Sequence, residues 1–480
     1  MVFSSISFLV FFLPLTLLVY YLLPSLKAKN IFLFLFSLLF YAWGEMRYVF
    51  VMLCSIVITY GTGYLLGSFQ KENFRKFVLI TGIFINLLFL YYFKYYDFSL
   101  EILNKLFGLS GEEVFTLKNI VLPVGISFYT FQSISYLIDV YRTKELAQKN
   151  FIKLGLYISC FPQLIAGPIV RYHEINEQLS VRKHELNEFA IGVERFIIGL
   201  AKKVIIANTV GEIVDLVFAT PFSNVNVFHT WVAVLAYSLQ IYYDFSGYSD
   251  MAIGLGKMFG FSFPENFNYP YISKSITEFW RRWHMSLSRW FKDYLYIPLG
   301  GNRKGTTRTA INLLIVFICT GIWHGAAFNF LVWGLIHGFF LFLEKILKKI
   351  DLKKNLLVEI FSRFYTLLII VLSFVIFRTD LNYGFKTILK LFGIGATGDI
   401  PVKTDEPFLI LMIDAKFWLC FLLGILFAVP WWKNEKIKNS MLFIFSEKYF
   451  IKYALLLFLY FLSFVFLTNS AYNPFIYFRF

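Results

Sequence analysis

Long apolar runs recur along this chain and limit what it can become. They cover residues 5–23, 31–43, 48–68, 78–93, 190–218, 228–243, 310–322, 328–344, 363–377, 407–430 and 450–468. A bilayer span needs about 20 mostly apolar residues. The runs therefore predict about ten to twelve transmembrane segments. Inside a bilayer the backbone must satisfy its own polar groups, which leaves helices and closed barrels. Runs this long and apolar predict helices, so the expected class is an all-α polytopic membrane protein. The composition agrees: 58% of the 480 residues are hydrophobic and 16% are charged, against roughly 25% charged in soluble domains. Little is left over for a separate soluble unit, so residues 1–480 read as one integral-membrane domain. Residues 1–23 lack the basic leader and small-residue cleavage site of a signal peptide and read as a retained first span.

The formal charge of +15 does not point to nucleic acid. Lys and Arg of membrane proteins collect in cytoplasmic loops, and here they cluster at Lys27 and Lys29, at Lys71, Arg75 and Lys76, at Lys202 and Lys203, from Arg303 to Arg308, and from Lys345 to Lys354. The first two clusters predict an outside N-terminus and an inside 24–30 loop. Cys54, Cys160, Cys319 and Cys420 all lie in apolar stretches without metal-like spacing and read as small buried hydrophobes. No metal motif is visible.

Two regions depart from a plain bundle. Between about 119 and 180, Pro123, Gly125, Pro162, Gly167 and Pro168 break the apolar runs. Irregular backbone at membrane depth survives only against protein or a water-filled cavity. Re-entrant or tilted helices around a central cavity are expected there. Residues 278–296 have helical periodicity. Trp280, Trp283, Leu287, Trp290, Phe291 and Tyr294 form one stripe, opposite Arg281, Arg282, Arg289, Lys292 and Asp293. This predicts one amphipathic interfacial helix, with His284 at the edge of its aromatic face.

His324 stands inside an apolar run, with His337 thirteen residues on. An ionisable side chain there is costly and marks a functional site by default. A neutral imidazole accepts a proton from a hydroxyl, which suits general-base work. With no metal spacing, phosphate-cradling loop or Gly-x-Ser-x-Gly elbow in the sequence, acyl transfer with histidine as base is the remaining chemistry. His337 reads as structural, and His173, His184 and His229, in polar or loop-like surroundings, as incidental. Asp244 and Asp250, six residues apart in apolar context, need partners. They read as a polar knot around the cavity, or as tunnel-lining groups with Ser246 and Trp323. Asp139 and Arg142 read as a local helix-end pair.

Six ordered motifs carry a resemblance. They are Leu122–Gln132 (LPVGISFYTFQ), Phe161–Arg171 (FPQLIAGPIVR), Gln240–Gly254 (QIYYDFSGYSDMAIG), Phe279–Ser288 (FWRRWHMSLS), Tyr294–Arg303 (YLYIPLGGNR) and Gly321–Ala326 (GIWHGA). The chain resembles membrane-bound O-acyltransferases of the alginate O-acetyltransferase type, nearly end to end. The tail Asn473–Phe480 (NPFIYFRF) is similar too, with Arg479 where Gln is usual.

The resemblance implies a ring of helices around a central tunnel. It implies His324 as catalytic histidine and His284 as a second histidine near the tunnel. It further implies acetyl transfer from a cytoplasmic donor, acetyl-CoA, toward hydroxyls of an extracytoplasmic polysaccharide. An SGNH-type acetyltransferase outside the membrane would be the partner, and the cell (inner) membrane the location. Arg281, Arg282, Arg303 and Lys304 are the candidate binders of the donor's phosphates, alongside a role at lipid headgroups. Two alternatives stay open: D-alanyl transfer to teichoic acid by the same fold, and a transporter using His and Asp as a proton relay.

Overall fold

The computed structural model describes residues 1–107, 114–347, 355–395, 413–431, 449–469 and 472–476. Among these residues there are helices and no strands. Arg479, the Lys348–Lys354 part of one basic cluster and residues 407–412 of one apolar run lie outside them.

The chain opens with α1 (Leu13–Leu22), α2 (Leu26–Glu45), α3 (Val49–Ser68) and α4 (Glu72–Leu90). A π-helical turn, Tyr91–Tyr95, leads into α5 (Tyr96–Phe107). Six segments among the described residues are long and apolar enough to cross a bilayer: Leu26–Ser68, Glu72–Phe107, Gly305–His324, Phe328–Leu347, Leu356–Arg378 and Phe450–Asn469. That is fewer than the ten to twelve expected. The first segment contains two helices, α2 and α3, and other apolar runs form helices that are too short or too polar in their buried faces to qualify.

The punctuated middle is broken into separate helices. It folds as α6 (Ile126–Arg142), α7 (Phe151–Ser159), α8 (Phe161–Leu164) and α9 (Tyr172–Ile175). Of the 17 residues of α6, 14 are buried, so this helix packs against protein and not lipid. The irregular backbone between these pieces is satisfied from outside. Val124 N–H donates to Glu45 Oε2 (2.9 Å), Phe161 N–H to Ser37 Oγ (3.0 Å) and Ile169 N–H to Ser286 Oγ (2.9 Å). Each bond removes an unmet donor that would cost several kcal/mol in an apolar medium (~2–7).

Next come α10 (Leu186–Ala201), α11 (Asn208–Ala219) and the central α12 (Val227–Met258). Ion pairs that replace water hold α12. Asp250 takes Arg195 (2.8 Å) and Lys202 (2.6 Å). Asp244 takes Lys203 at 2.9 Å, and both side chains are only 2% exposed. These are the partners that the two carboxylates required, and they come from α10 and the turn after it, not from residues 281–289. Lys203 also donates to Asn208 Oδ1 (2.7 Å) and to the Pro474 carbonyl, while Asp244 Oδ2 accepts from Ile476 N–H (2.8 Å). The C-terminal segment 472–476 is thereby drawn into the centre, with Phe475 packed on Tyr248.

The 278–296 region is not one helix. It forms α13 (Ile276–Trp280), α14 (Met285–Phe291) and a π-helical turn, Lys292–Tyr296. His284 breaks it with a left-handed backbone, φ 41°. The aromatic stripe is nonetheless buried throughout. Two further expectations change. His229 is buried in the first turn of α12, not in a loop. Asp139 does not pair with Arg142: it accepts from His173 (2.9 Å) and Tyr294 (2.9 Å), while Arg142 donates to the Asp293 carbonyl. The His173 contact raises that imidazole's pKa, first through the hydrogen bond to Asp139.

The remaining helices are α15 (Gly305–His324), α16 (Phe328–Leu347), α17 (Leu356–Arg378), α18 (Leu381–Leu391), α19 (Ala415–Phe427) and α20 (Tyr449–Asn469). Breaking a buried pair strands the other charge at a cost of about 3–5 kcal/mol. Lys203→Met is expected to lower the thermal unfolding midpoint in detergent clearly, and Lys202→Met, at a more exposed site, much less.

Candidate active site

α15 ends at His324 because the next residue, Gly325, turns into extended backbone (φ −169°). The turn returns the chain as α16, and the two helices touch backbone to backbone. A Cβ on Gly321 would lie 2.3 Å from the Phe330 carbonyl, and one on Gly334 would lie 2.3 Å from that of Phe317. Only glycine permits this approach. It sets His324, 5% exposed, among rings. Trp323 lies 5.0 Å away, Trp333 5.1 Å and Phe377 5.2 Å between ring centroids.

The three buried histidines have different surroundings. His337 is engaged at both nitrogens: Trp280 Nε1–H donates to its Nδ1 (3.3 Å), so Nε2 carries the proton and donates to Ser373 Oγ (3.2 Å). It ties α13 to α16 and α17, the structural role expected. His284 Nδ1 lies 3.1 Å from Asn266 Oδ1. The orientation of that amide is fixed, because Oδ1 also accepts from Ser286 N–H (3.2 Å) and Ser286 Oγ (2.8 Å), while Nδ2 donates to Ser249 Oγ (2.9 Å). Nδ1 of His284 therefore carries the proton and Nε2 is its basic nitrogen. A non-glycine residue in this backbone region costs about 1–3 kcal/mol, and the Asn266 network offsets that cost. Trp323 lies between the two histidines, its ring 5.9 Å from His284.

Two cavities flank α15. One, about 40 Å³, is lined by His324, Trp323, Lys94, Pro123, Ser127 and Ile165. The other is an apolar crevice of about 220 Å³. Leu313, Val316, Phe317 and Thr320 line its α15 side, a helical stripe that continues to His324 one turn on. Arg281 and Lys292 border the same crevice. A third cavity, about 570 Å³, is lined by Phe330, Phe377, Asn329, Arg378 and Asp380, and Phe377 separates it from the His324 ring.

The sequence-proposed residues divide accordingly. The fold brings His324, Trp323 and His284 together. Arg281 lines the crevice, but Arg282 is tied to Glu278 (2.8 Å) and the Asn268 carbonyl. Arg303 and Lys304 are exposed in the loop before α15 and do not line it. Asp244 and Asp250 are structural ion pairs, and Ser246 is buried on the same helix. Sequence reasoning missed Asn266 and Lys94. Lys94 had a readable signal, a lysine directly after the apolar run 78–93 and among aromatic residues; Asn266 had none.

The profile of MBOAT, the membrane-bound O-acyltransferase family, matches residues 141–379. The probable alginate O-acetylase AlgI of Azotobacter vinelandii is 42% identical over 82% of this chain and 79% of its own length. The chain belongs to the membrane-bound O-acyltransferase family. The peptidoglycan O-acetyltransferase of Helicobacter pylori is 33% identical over 100% of the chain and 98% of its own length. The teichoic acid D-alanyltransferase of Bacillus subtilis is 30% identical over 53% and 67%. This membrane-bound O-acyltransferase is therefore a multi-pass membrane enzyme, similar to the alginate O-acetylases, and the transporter alternative falls.

In this O-acyltransferase, Asn266→Ala would leave the His284 Nδ1–H and the Ser286 and Ser249 groups without their partner. Each buried orphan costs about 1–3 kcal/mol. The expected result is a lower unfolding midpoint together with reduced transfer per folded molecule. Asn266→Asp, which keeps the acceptor oxygen, should retain more of both.

Proposed function

We propose that this enzyme moves an acetyl group from acetyl-CoA toward a hydroxyl of an extracytoplasmic polysaccharide. The carrying observation is the position of His324: the crevice stripe of α15 ends one turn before it, and the small cavity lies beside it. Acetyl-CoA approaches from the cytoplasmic side, its phosphates near Arg281 and Lys292 and its thioester arm along the crevice. The acceptor hydroxyl gives its proton to His324 as its oxygen attacks the thioester carbonyl. The C–S bond then breaks, and the departing thiolate takes the proton from His324. His284, held by Asn266, orients the reacting groups from the far side of Trp323. The hydroxyl acetylated at His324 is the first acceptor of a relay, and an SGNH-type acetyltransferase outside the inner membrane passes the group from it to the polysaccharide hydroxyl. The names of the alginate and peptidoglycan relatives support an acetyl group and a glycan acceptor.

The second reading is D-alanyl transfer to teichoic acid, favoured only by the shorter match to the Bacillus subtilis enzyme. The two separate in proteoliposomes offered labelled acetyl-CoA or a labelled D-alanyl carrier protein, with the partner and glycan on the opposite side. We expect label from acetyl-CoA. Arg281→Ala should raise the KM for it by up to about tenfold, equivalent to ~1.4 kcal/mol. Transfer from the carrier protein alone would contradict the reading.

A further inference from the structure

The carbonyls of the last turn of a helix have no donors within the helix. In α15 that turn carries Trp323 and His324, and two consecutive residues of the π-helical turn after α4 supply what is missing. Tyr95 Oη donates to the Ile322 carbonyl (2.8 Å). Lys94 Nζ donates to the Trp323 carbonyl (2.6 Å) and the His324 carbonyl (3.2 Å). Its third bond reaches Ser127 Oγ (3.3 Å) in the first turn of α6. Among the described residues no carboxylate lies within ion-pair distance of this ammonium. An uncompensated cation in an apolar span is costly. Here the negative end of the α15 dipole supplies the compensation, and a cation at a helix C-terminus is stabilising. π-helical turns inside helices are rare and recur at functional sites. This one is followed directly by α5 and presents Lys94 and Tyr95 to a single target.

We propose that Lys94 is a positioning residue of the acyl-transfer site: with Tyr95 it clamps the last turn of α15, fixing the backbone from which His324 projects and joining it to the start of α6. The ammonium acts through that backbone, its three N–H bonds being directed to Trp323, His324 and Ser127. Its effect on transfer rests on the reading of His324 given above, whereas the clamp itself does not.

The test uses the full chain in detergent micelles or nanodiscs, as Lys94→Met, Lys94→Arg and Tyr95→Phe. Hydrogen–deuterium exchange of a peptide spanning residues 318–326 reads the clamp directly. We expect exchange at least tenfold faster in Lys94→Met, a smaller increase in Tyr95→Phe, and substantial recovery in Lys94→Arg, which keeps the charge and the donors. Acetyl transfer reads the consequence. In Lys94→Met, kcat per folded molecule should fall at least tenfold with the KM for acetyl-CoA within twofold of wild type, and Lys94→Arg should restore part of the rate. Wild-type exchange at residues 318–326 in Lys94→Met overturns the proposal, as does wild-type kcat per folded molecule. If the unmodified chain transfers no acetyl group, the proposed function fails, and the exchange measurement still decides the clamp.

Discussion

The ion pair between Lys203 and Asp244 fixes the centre of this enzyme. Neither charge reaches water, so each is held only by the other and by the hydrogen bonds around them. Those bonds gather α11, the C-terminal segment and α12 at one point. With α12 fixed, Ser249 on that helix holds Asn266, and Asn266 holds His284 and Ser286. Ser286 in turn satisfies the irregular backbone at Ile169. Two buried polar clusters, joined by α12, thus link the structural core to the candidate active site. Buried networks of this kind rigidify when fully satisfied.

Burial alone does not distinguish the three central histidines; their neighbours do. His337 is bonded at both nitrogens and joins three helices. His284 is bonded at Nδ1 and held in a strained backbone. His324 stands at a helix end whose carbonyls are capped from another helix; it lines the small cavity, and the α15 stripe along the cation-bordered crevice stops one turn before it. Tryptophans separate the three, Trp323 between His284 and His324 and Trp333 between His324 and His337. The rings keep the imidazoles apart and exclude water, so each can hold a different role within one cluster.

Much of this was legible in the sequence, for physical reasons. The all-helical membrane class follows from apolar run length, and the buried middle from proline and glycine placed where spans cannot be straight. The fold brings His324, His284 and Trp323 together. The aromatic stripe from Trp280 to Tyr294 is buried as its periodicity demanded, yet the helix assumed to carry it breaks at His284. No local signal marks that break, since a histidine at positive φ is specified by Asn266, 18 residues away. Asp139 and Arg142 show the same limit: their spacing suggests each other, but long-range partners take both. The basic residues were harder to separate. Arg281 and Arg282 are adjacent in sequence, and only the fold shows that Glu278 occupies one and the crevice receives the other.

The account rests on one imidazole carrying the transfer. Single-turnover acetyl transfer from acetyl-CoA by His324→Gln and His337→Gln, normalised to folded protein, tests this most directly, because glutamine keeps polarity and approximate volume but cannot act as a base. The account predicts a loss of about 100-fold or more for His324→Gln, the range of general-base contributions, with His337→Gln within a few-fold of wild type. Transfer at the wild-type rate by His324→Gln would contradict it.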